Sequence, residues 1–265
     1  MSDLEQTSVR SPDGTNIAFV RMGNGPSLVL VHGSLATGER WMQVASILAS
    51  QLTCFVMDRR GHGHSGDSTH YSIEREYEDI ESVLGEAGPE ASLLGHSYGA
   101  VCALGTATRT RLPRLILYEP PLPVNGSVAG GALPDYKKAI DARNFDLALE
   151  IGLTKFAGVT SNQAEALRKS PVWPKMVALA PTWTREIEAM DALGPSLTRY
   201  GQLTTPTLLL TGTLSPKHPL KDSVLALSAT LKNCTVASLD GQGHEAHSLA
   251  PALIAEKVAS FVLNR

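Results

Sequence analysis

The chain has 265 residues, enough for one large domain with a substantial core. With 43% hydrophobic and 18% charged residues it is too apolar for a disordered chain, and a formal net charge of -3 without a basic run leaves no electrostatic footprint for nucleic acid. The start, Met-Ser-Asp-Leu-Glu-Gln, has no positive cluster or apolar stretch, and the longest apolar runs, such as residues 28–31, are strand-length, which argues against a secretory leader and a membrane partner.

Residues 6–10 and 16–21 read as two strands around the turn Ser11-Pro12-Asp13-Gly14, an antiparallel hairpin. Buried strands are expected at 27–31, 54–57, 91–94 and 115–118, separated by helical patterns at 39–49, 73–84 and 98–108. Ser72 is the expected N-cap of the second helix, and Gly85 and Gly88 its stop. Such alternation predicts an α/β fold with a mainly parallel central sheet and helices on both faces.

After Pro120 the alternation stops, and 121–193 holds only helical patterns, around 134–151, 161–170 and 174–191. It resumes with a strand at 207–210, a helix near 219–231, a strand at 235–239 and a last helix over 250–263. The expected organisation is a core of 1–120 and 194–265 with 121–193 inserted as a helical lid. Trp173, Met176, Trp183 and Met190 belong to that insertion and are expected mostly as half-buried core, with a minority facing substrate. Cys54, Cys102 and Cys234 each lie in an apolar segment and read as buried free thiols of a reducing, cytoplasmic setting.

The strand at 91–94 runs straight into Gly95-His96-Ser97-Tyr98-Gly99, with a helix following. Gly-x-Ser-x-Gly arises by chance in roughly one chain in ten of this length, so its place between strand and helix carries the signal. A turn that tight requires small residues on both flanks, lifts the Ser97 hydroxyl above the sheet and sets the Tyr98 amide at a helix N-terminus, where it stabilises an oxyanion.

With this elbow the chain resembles the α/β-hydrolase superfamily, in its serine-nucleophile, esterase-like branch. Three further segments carry the resemblance: His32-Gly33-Ser34 after a strand, the turn Asp58-Arg59-Arg60-Gly61-His62-Gly63-His64-Ser65, and Gly243-His244 after the last strand. The resemblance implies Ser97 as nucleophile, His244 as base, and the amides of Tyr98 and Ser34 as oxyanion donors, with Leu35 the neighbouring possibility for the latter. It also implies hydrolysis of a small ester through an acyl-enzyme, with no metal or organic cofactor.

His247 is close enough in sequence to compete with His244. His62 and His64 have a spacing that metal ligands use, but in a glycine-rich turn without a matching carboxylate set they read as structural. His32 and His96 are expected to have loop and packing roles, and His70 and His218 carry no assigned chemistry.

The acid departs from the family pattern. Most members carry an Asp where this chain has Ser215, and a neutral hydroxyl cannot stabilise an imidazolium as a carboxylate does. Glu119, at the end of the strand at 115–118 and before Pro120, is the preferred replacement, because a carboxylate there needs a partner. Asp222 is the second candidate, and Asp240 lies too near His244 in sequence. Carbon–carbon bond hydrolysis, perhydrolysis or lyase chemistry on the same serine–histidine pair, or a non-catalytic small-ligand receptor, are the other readings this fold allows.

Overall fold

Apolar residues on both faces of each inner strand determine where the sheet can lie, since such strands need a packed layer on either side. A computed structural model describes residues 5–264. Residues 1–4, on which the reading of the chain's start partly rests, lie outside the described residues.

β1 (Glu5–Arg10) and β2 (Asn16–Gly23) form the expected antiparallel hairpin, with Thr7 opposite Phe19 and the turn held by a 2.9 Å bond from the Thr15 amide to Asp13. β3 (Ser27–Val31), β4 (Thr53–Met57), β5 (Ser92–His96), β6 (Leu115–Tyr118), β7 (Thr207–Gly212) and β8 (Cys234–Leu239) complete an eight-stranded sheet in the order β1-β2-β4-β3-β5-β6-β7-β8. All pairings from β4 to β8 are parallel. The chain moves outward from β3 first to β4 and then, on the other side, to β5, so the sheet has its switch point at the C-terminal end of β3.

Strand alternation sorts the core into two layers. Val29, Val31, Leu93, Leu115, Leu117 and Leu209 face α2 (Ile73–Ala87), α3 (Tyr98–Ala107) and α8 (Asp222–Thr230). Leu28, Leu30, Leu94, Ile116 and Leu210 face the opposite layer, built from α1 (Met42–Leu48) and α10 (Pro251–Val262) with Val44, Leu48, Ile254 and Val258. Each fully buried Leu or Val contributes about 1.5–3 kcal/mol of transfer free energy, so the two layers together hold the strand ends in register.

Four more helices lie between β6 and β7: α4 (Leu133–Asp141), α5 (Phe145–Lys155), α6 (Ser161–Arg168) and α7 (Trp173–Ala192). The single helix expected over 134–151 is broken in two. Arg143 turns into the left-handed region at φ 56°, and the Asn144 side chain caps α5 by accepting from the Leu147 amide at 3.2 Å. α6 starts in a capping box, with Gln163 accepting from the Thr160 amide at 2.9 Å and the Thr160 hydroxyl accepting from the Gln163 amide at 3.3 Å.

Smaller differences have local causes. Ser72 precedes α2 as expected, but its side chain makes no cap, and α2 runs past Gly85 to stop at Gly88, which supplies φ 96°. The helix expected over 39–49 opens as a 3₁₀ turn at Gly38–Trp41. The helix expected near 219–231 has its regular part only from Asp222, and the last helix is preceded by a separate turn, α9 (Ala246–Leu249). Cys54 and Cys102 are buried, and burial pushes the Cys54 thiol up to about 12. Cys234 corrects the expectation: it opens the edge strand β8 and is only half-buried. Among the described residues no helix is long and apolar enough to cross a membrane.

Candidate active site

β5 delivers Ser97 to the C-terminal end of the sheet's inner strands, and α3 starts one residue later. Ser97 sits at φ 53° and ψ -125°, and its amide donates to the Tyr118 carbonyl at 2.9 Å. A non-glycine residue in that region costs on the order of 1–3 kcal/mol, so the surrounding packing must impose it. The flanking glycines do so by close approach. A Cβ on Gly95 would overlap the Gly99 carbonyl, and one on Gly99 would overlap the carbonyl of His32. Both obstacles are backbone and cannot move aside. Gly99→Ala is therefore expected to lower the melting temperature by ten degrees or more, or to prevent soluble expression; a wild-type thermal melt would count against this geometry.

The C-terminal end of β6 supplies Glu119, fully buried at 0% exposure. Its Oε2 accepts from His244 Nδ1 at 2.7 Å, and its Oε1 accepts from the Gly212 amide at 2.7 Å and the Thr211 hydroxyl at 3.2 Å. Burial by itself would raise the Glu119 pKa. The hydrogen bond and charge of His244, with the Ser215 hydroxyl and the Gly212 amide, overcome that and hold it below the usual carboxylate value. An ionised carboxylate only accepts, so His244 carries a proton on Nδ1, and in the neutral ring the lone pair is then on Nε2. The His244 loop is pinned nearby, where the Tyr118 hydroxyl donates to the Gly243 carbonyl and accepts from the Ala246 amide at 3.1 Å.

The loop after β3 closes the site. Gly33 packs so near the elbow that a Cβ there would lie 2.8 Å from Ser97 Cβ. Among the described residues neither Ser34 nor Leu35 gives its amide to a protein acceptor, and the Tyr98 amide, first in α3, has no partner within its helix. Leu35 takes φ 54°. Among the described residues five non-glycine residues have positive φ, and three of them, Leu35, Ser97 and Glu119, belong to this one end of the sheet.

Ser97, Ser34 and His244 line a common cavity of about 380 Å³, although no hydrogen bond joins the Ser97 hydroxyl to His244. An apolar part of its lining comes from Leu153 of α5, Phe156 just beyond that helix, and Met176, Trp183, Ile187 and Met190 of α7. Three of the four Trp and Met residues singled out in this segment thus face the cavity, against the expected minority. The fourth, Trp173, is packed away from it and donates its indole N–H to Asp146 at 2.8 Å.

The remaining candidates are placed elsewhere. Asp222 lies 3.6 Å from His218 and does not meet His244. His247 is buried in the cavity wall with its ring 4.3 Å from that of His96, and it contacts Glu245 at 3.9 Å rather than Glu119. His96 donates Nε2–H to the His244 carbonyl at 2.9 Å. His64 is exposed and His62 buried, and among the described residues no group of three His, Cys, Asp or Glu could hold a metal ion.

Burial, reinforced by neighbouring imidazoles and arginines, holds His32, His62 and His96 well below their ordinary 6.5, and burial lowers His247 to about 4. The unfolded chain takes up protons below about pH 6.5 that these folded histidines refuse. Stability is then full above pH 6.5 and falls with acidification, by about 1.4 kcal/mol per pH unit for each histidine until its folded pKa is reached. A melting temperature that is flat between pH 7 and pH 5 would contradict this.

A family model described as the alpha/beta hydrolase family matches residues 28–257. The chain is similar to the crystal structure of an alpha/beta hydrolase from Sphaerobacter thermophilus, with a TM-score of 0.88 and 32% identity over 96% of this chain and 99% of that one. It also matches the pimeloyl-[acyl-carrier protein] methyl ester esterase of Vibrio campbellii, 35% identical over 104 residues, which is 38% of this chain and 40% of that protein. Protein phosphatase methylesterase 1 of Bos taurus is 28% identical over 124 residues, 44% of this chain and 32% of that protein. The matched stretches thus span well under half the length of these curated relatives, down to 17% for another.

Proposed function

This chain belongs to the alpha/beta hydrolase family, and from that membership we propose that it is a serine hydrolase cleaving a small ester through an acyl-enzyme on Ser97. The observation that carries the reading is the 2.7 Å bond from His244 Nδ1 to a buried, ionised Glu119, at the rim that also holds Ser97 on its strained elbow. His244 Nε2 takes the Ser97 proton as Oγ attacks the acyl carbonyl. The amides of Ser34 and Tyr98 stabilise the resulting oxyanion. His244 then returns the proton to the departing alcohol, leaving the acyl group on Ser97. A water molecule, deprotonated by the same imidazole, releases the acid. No step calls for a metal or an organic cofactor.

In this reading residues 121–193 act as the lid, and the apolar wall from α5 and α7 receives the acyl group while polar residues at the mouth meet the alcohol. The two methyl ester esterases among the relatives accord with a small alcohol leaving group. Strain retained at Leu35, Ser97 and Glu119, with free amides beside them, favours catalysis over a receptor, which would gain nothing from either.

A panel of p-nitrophenyl esters from acetate to octanoate tests the proposal. One equivalent of p-nitrophenol per chain in a pre-steady-state burst, followed by slower turnover, is expected wherever deacylation limits. Steady hydrolysis of no ester in the panel would overturn it.

A further inference from the structure

Arg59, in the turn after β4, has a fully buried guanidinium that faces two buried carboxylates. Glu76 of α2 accepts from Nη2 at 3.0 Å and from Nε at 3.2 Å, and Glu186 of α7 accepts from Nη2 as well. The remaining nitrogen, Nη1, donates to the Gly33 carbonyl at 3.2 Å. His32 donates to the same oxygen from Nδ1 at 2.8 Å while its Nε2 accepts from the Arg59 amide at 3.0 Å. The guanidinium also lies 4.6 Å over the Tyr98 ring.

Two donors on one carbonyl fix the plane of the Gly33–Ser34 peptide. In a trans peptide the N–H points opposite to the C=O, so a carbonyl held toward Arg59 turns the Ser34 amide away from it. One carboxylate would neutralise Arg59. The Arg59 charge alone therefore does not call for the second one. Glu186 also occupies a particular place: Trp183, Glu186, Ile187 and Met190 follow helical spacing on one face of α7, and the three apolar members line the cavity.

We propose that Arg59 is a positioning residue that orients the Ser34 amide toward the reacting carbonyl, and that Glu186 sets Arg59, linking the helix beside the substrate to the oxyanion donor. This rests on the serine hydrolase reading. Losing an oxyanion donor outright costs about 10²–10³ in kcat, so loosening one costs less.

The test compares Glu186→Leu, Glu186→Gln and Arg59→Lys with wild type, using p-nitrophenyl butyrate and an alkyl trifluoromethyl ketone, which adds to a serine as a tetrahedral oxyanion. Glu186→Leu leaves the Arg59–Glu76 pair intact and is expected to fold. Its kcat should fall about tenfold with KM within about twofold, and ketone affinity should fall by the same factor. Glu186→Gln, which still accepts from Arg59, should recover most of both. Arg59→Lys should lose at least as much as Glu186→Leu, and if it does not fold the two Glu186 variants decide alone. Wild-type kcat and ketone affinity in folded Glu186→Leu, whatever its melting temperature, would overturn the inference and leave the serine hydrolase reading in place. A wild-type enzyme that hydrolyses no ester and binds no ketone would overturn both.

Discussion

Glu119→Gln is expected to fold and to lose about 10⁴ in kcat, the scale of the comparable change in a serine protease. The loss follows from how the carboxylate is held. Oε1 accepts from the Gly212 amide and the Thr211 hydroxyl, so a glutamine must put its carbonyl there and turn its NH₂ toward His244. Nδ1 would then have to accept, which moves the imidazole proton to Nε2 and removes the lone pair that should take the Ser97 proton. Asp222→Asn, by contrast, should stay within about threefold of wild type, because Asp222 pairs with His218. Steady-state kinetics on purified variants, with thermal melts as the folding control, give both results. Near-normal turnover in Glu119→Gln would remove Glu119 from the account.

The same substitution has a signature in stability. Because the folded pKa of Glu119 lies below its ordinary 4.5, the stabilisation from its ionised form is present above pH 4.5 and is lost as the pH falls through the folded value. Glu119→Gln should lose that part of the acid sensitivity and keep the part due to the buried histidines.

Ser97→Ala should reduce kcat by about 10⁶, leaving only what binding and the amides provide. Ser97→Gly should be as inactive but should melt higher than Ser97→Ala. Glycine adopts φ 53°, ψ -125° at little cost, whereas either side chain holds strain there. Equal melting temperatures for the two variants would mean that the elbow stores no strain. Residual activity in Ser97→Ala above about one part in a thousand would argue that another group is the nucleophile.

The α/β architecture was legible because its signals are local. Apolar runs of strand length at 27–31 and 115–118, and glycines that flank Ser97, each report a nearby backbone requirement. The contact between Glu119 and His244 could also be anticipated, since Ser215 stands where a carboxylate is expected and Glu119 ends a neighbouring strand. What stayed hidden depends on contacts between distant residues. The pairing of Arg59 with Glu186 spans 127 positions, and the one available hint was a second arginine in Asp58-Arg59-Arg60. Which of Trp173, Met176, Trp183 and Met190 face the cavity depends on how α5 and α7 pack, which helical periodicity does not encode. The break at Arg143 comes from a cap by Asn144, too weak a signal against the apolar periodicity that runs across it.

A fluorophosphonate probe followed by peptide mapping identifies the nucleophile itself. One adduct per chain is expected, on the peptide carrying Ser97, with ester hydrolysis lost in proportion to labelling and no labelling of Ser97→Ala. An adduct on another residue, or undiminished hydrolysis by fully labelled protein, would contradict this role of Ser97.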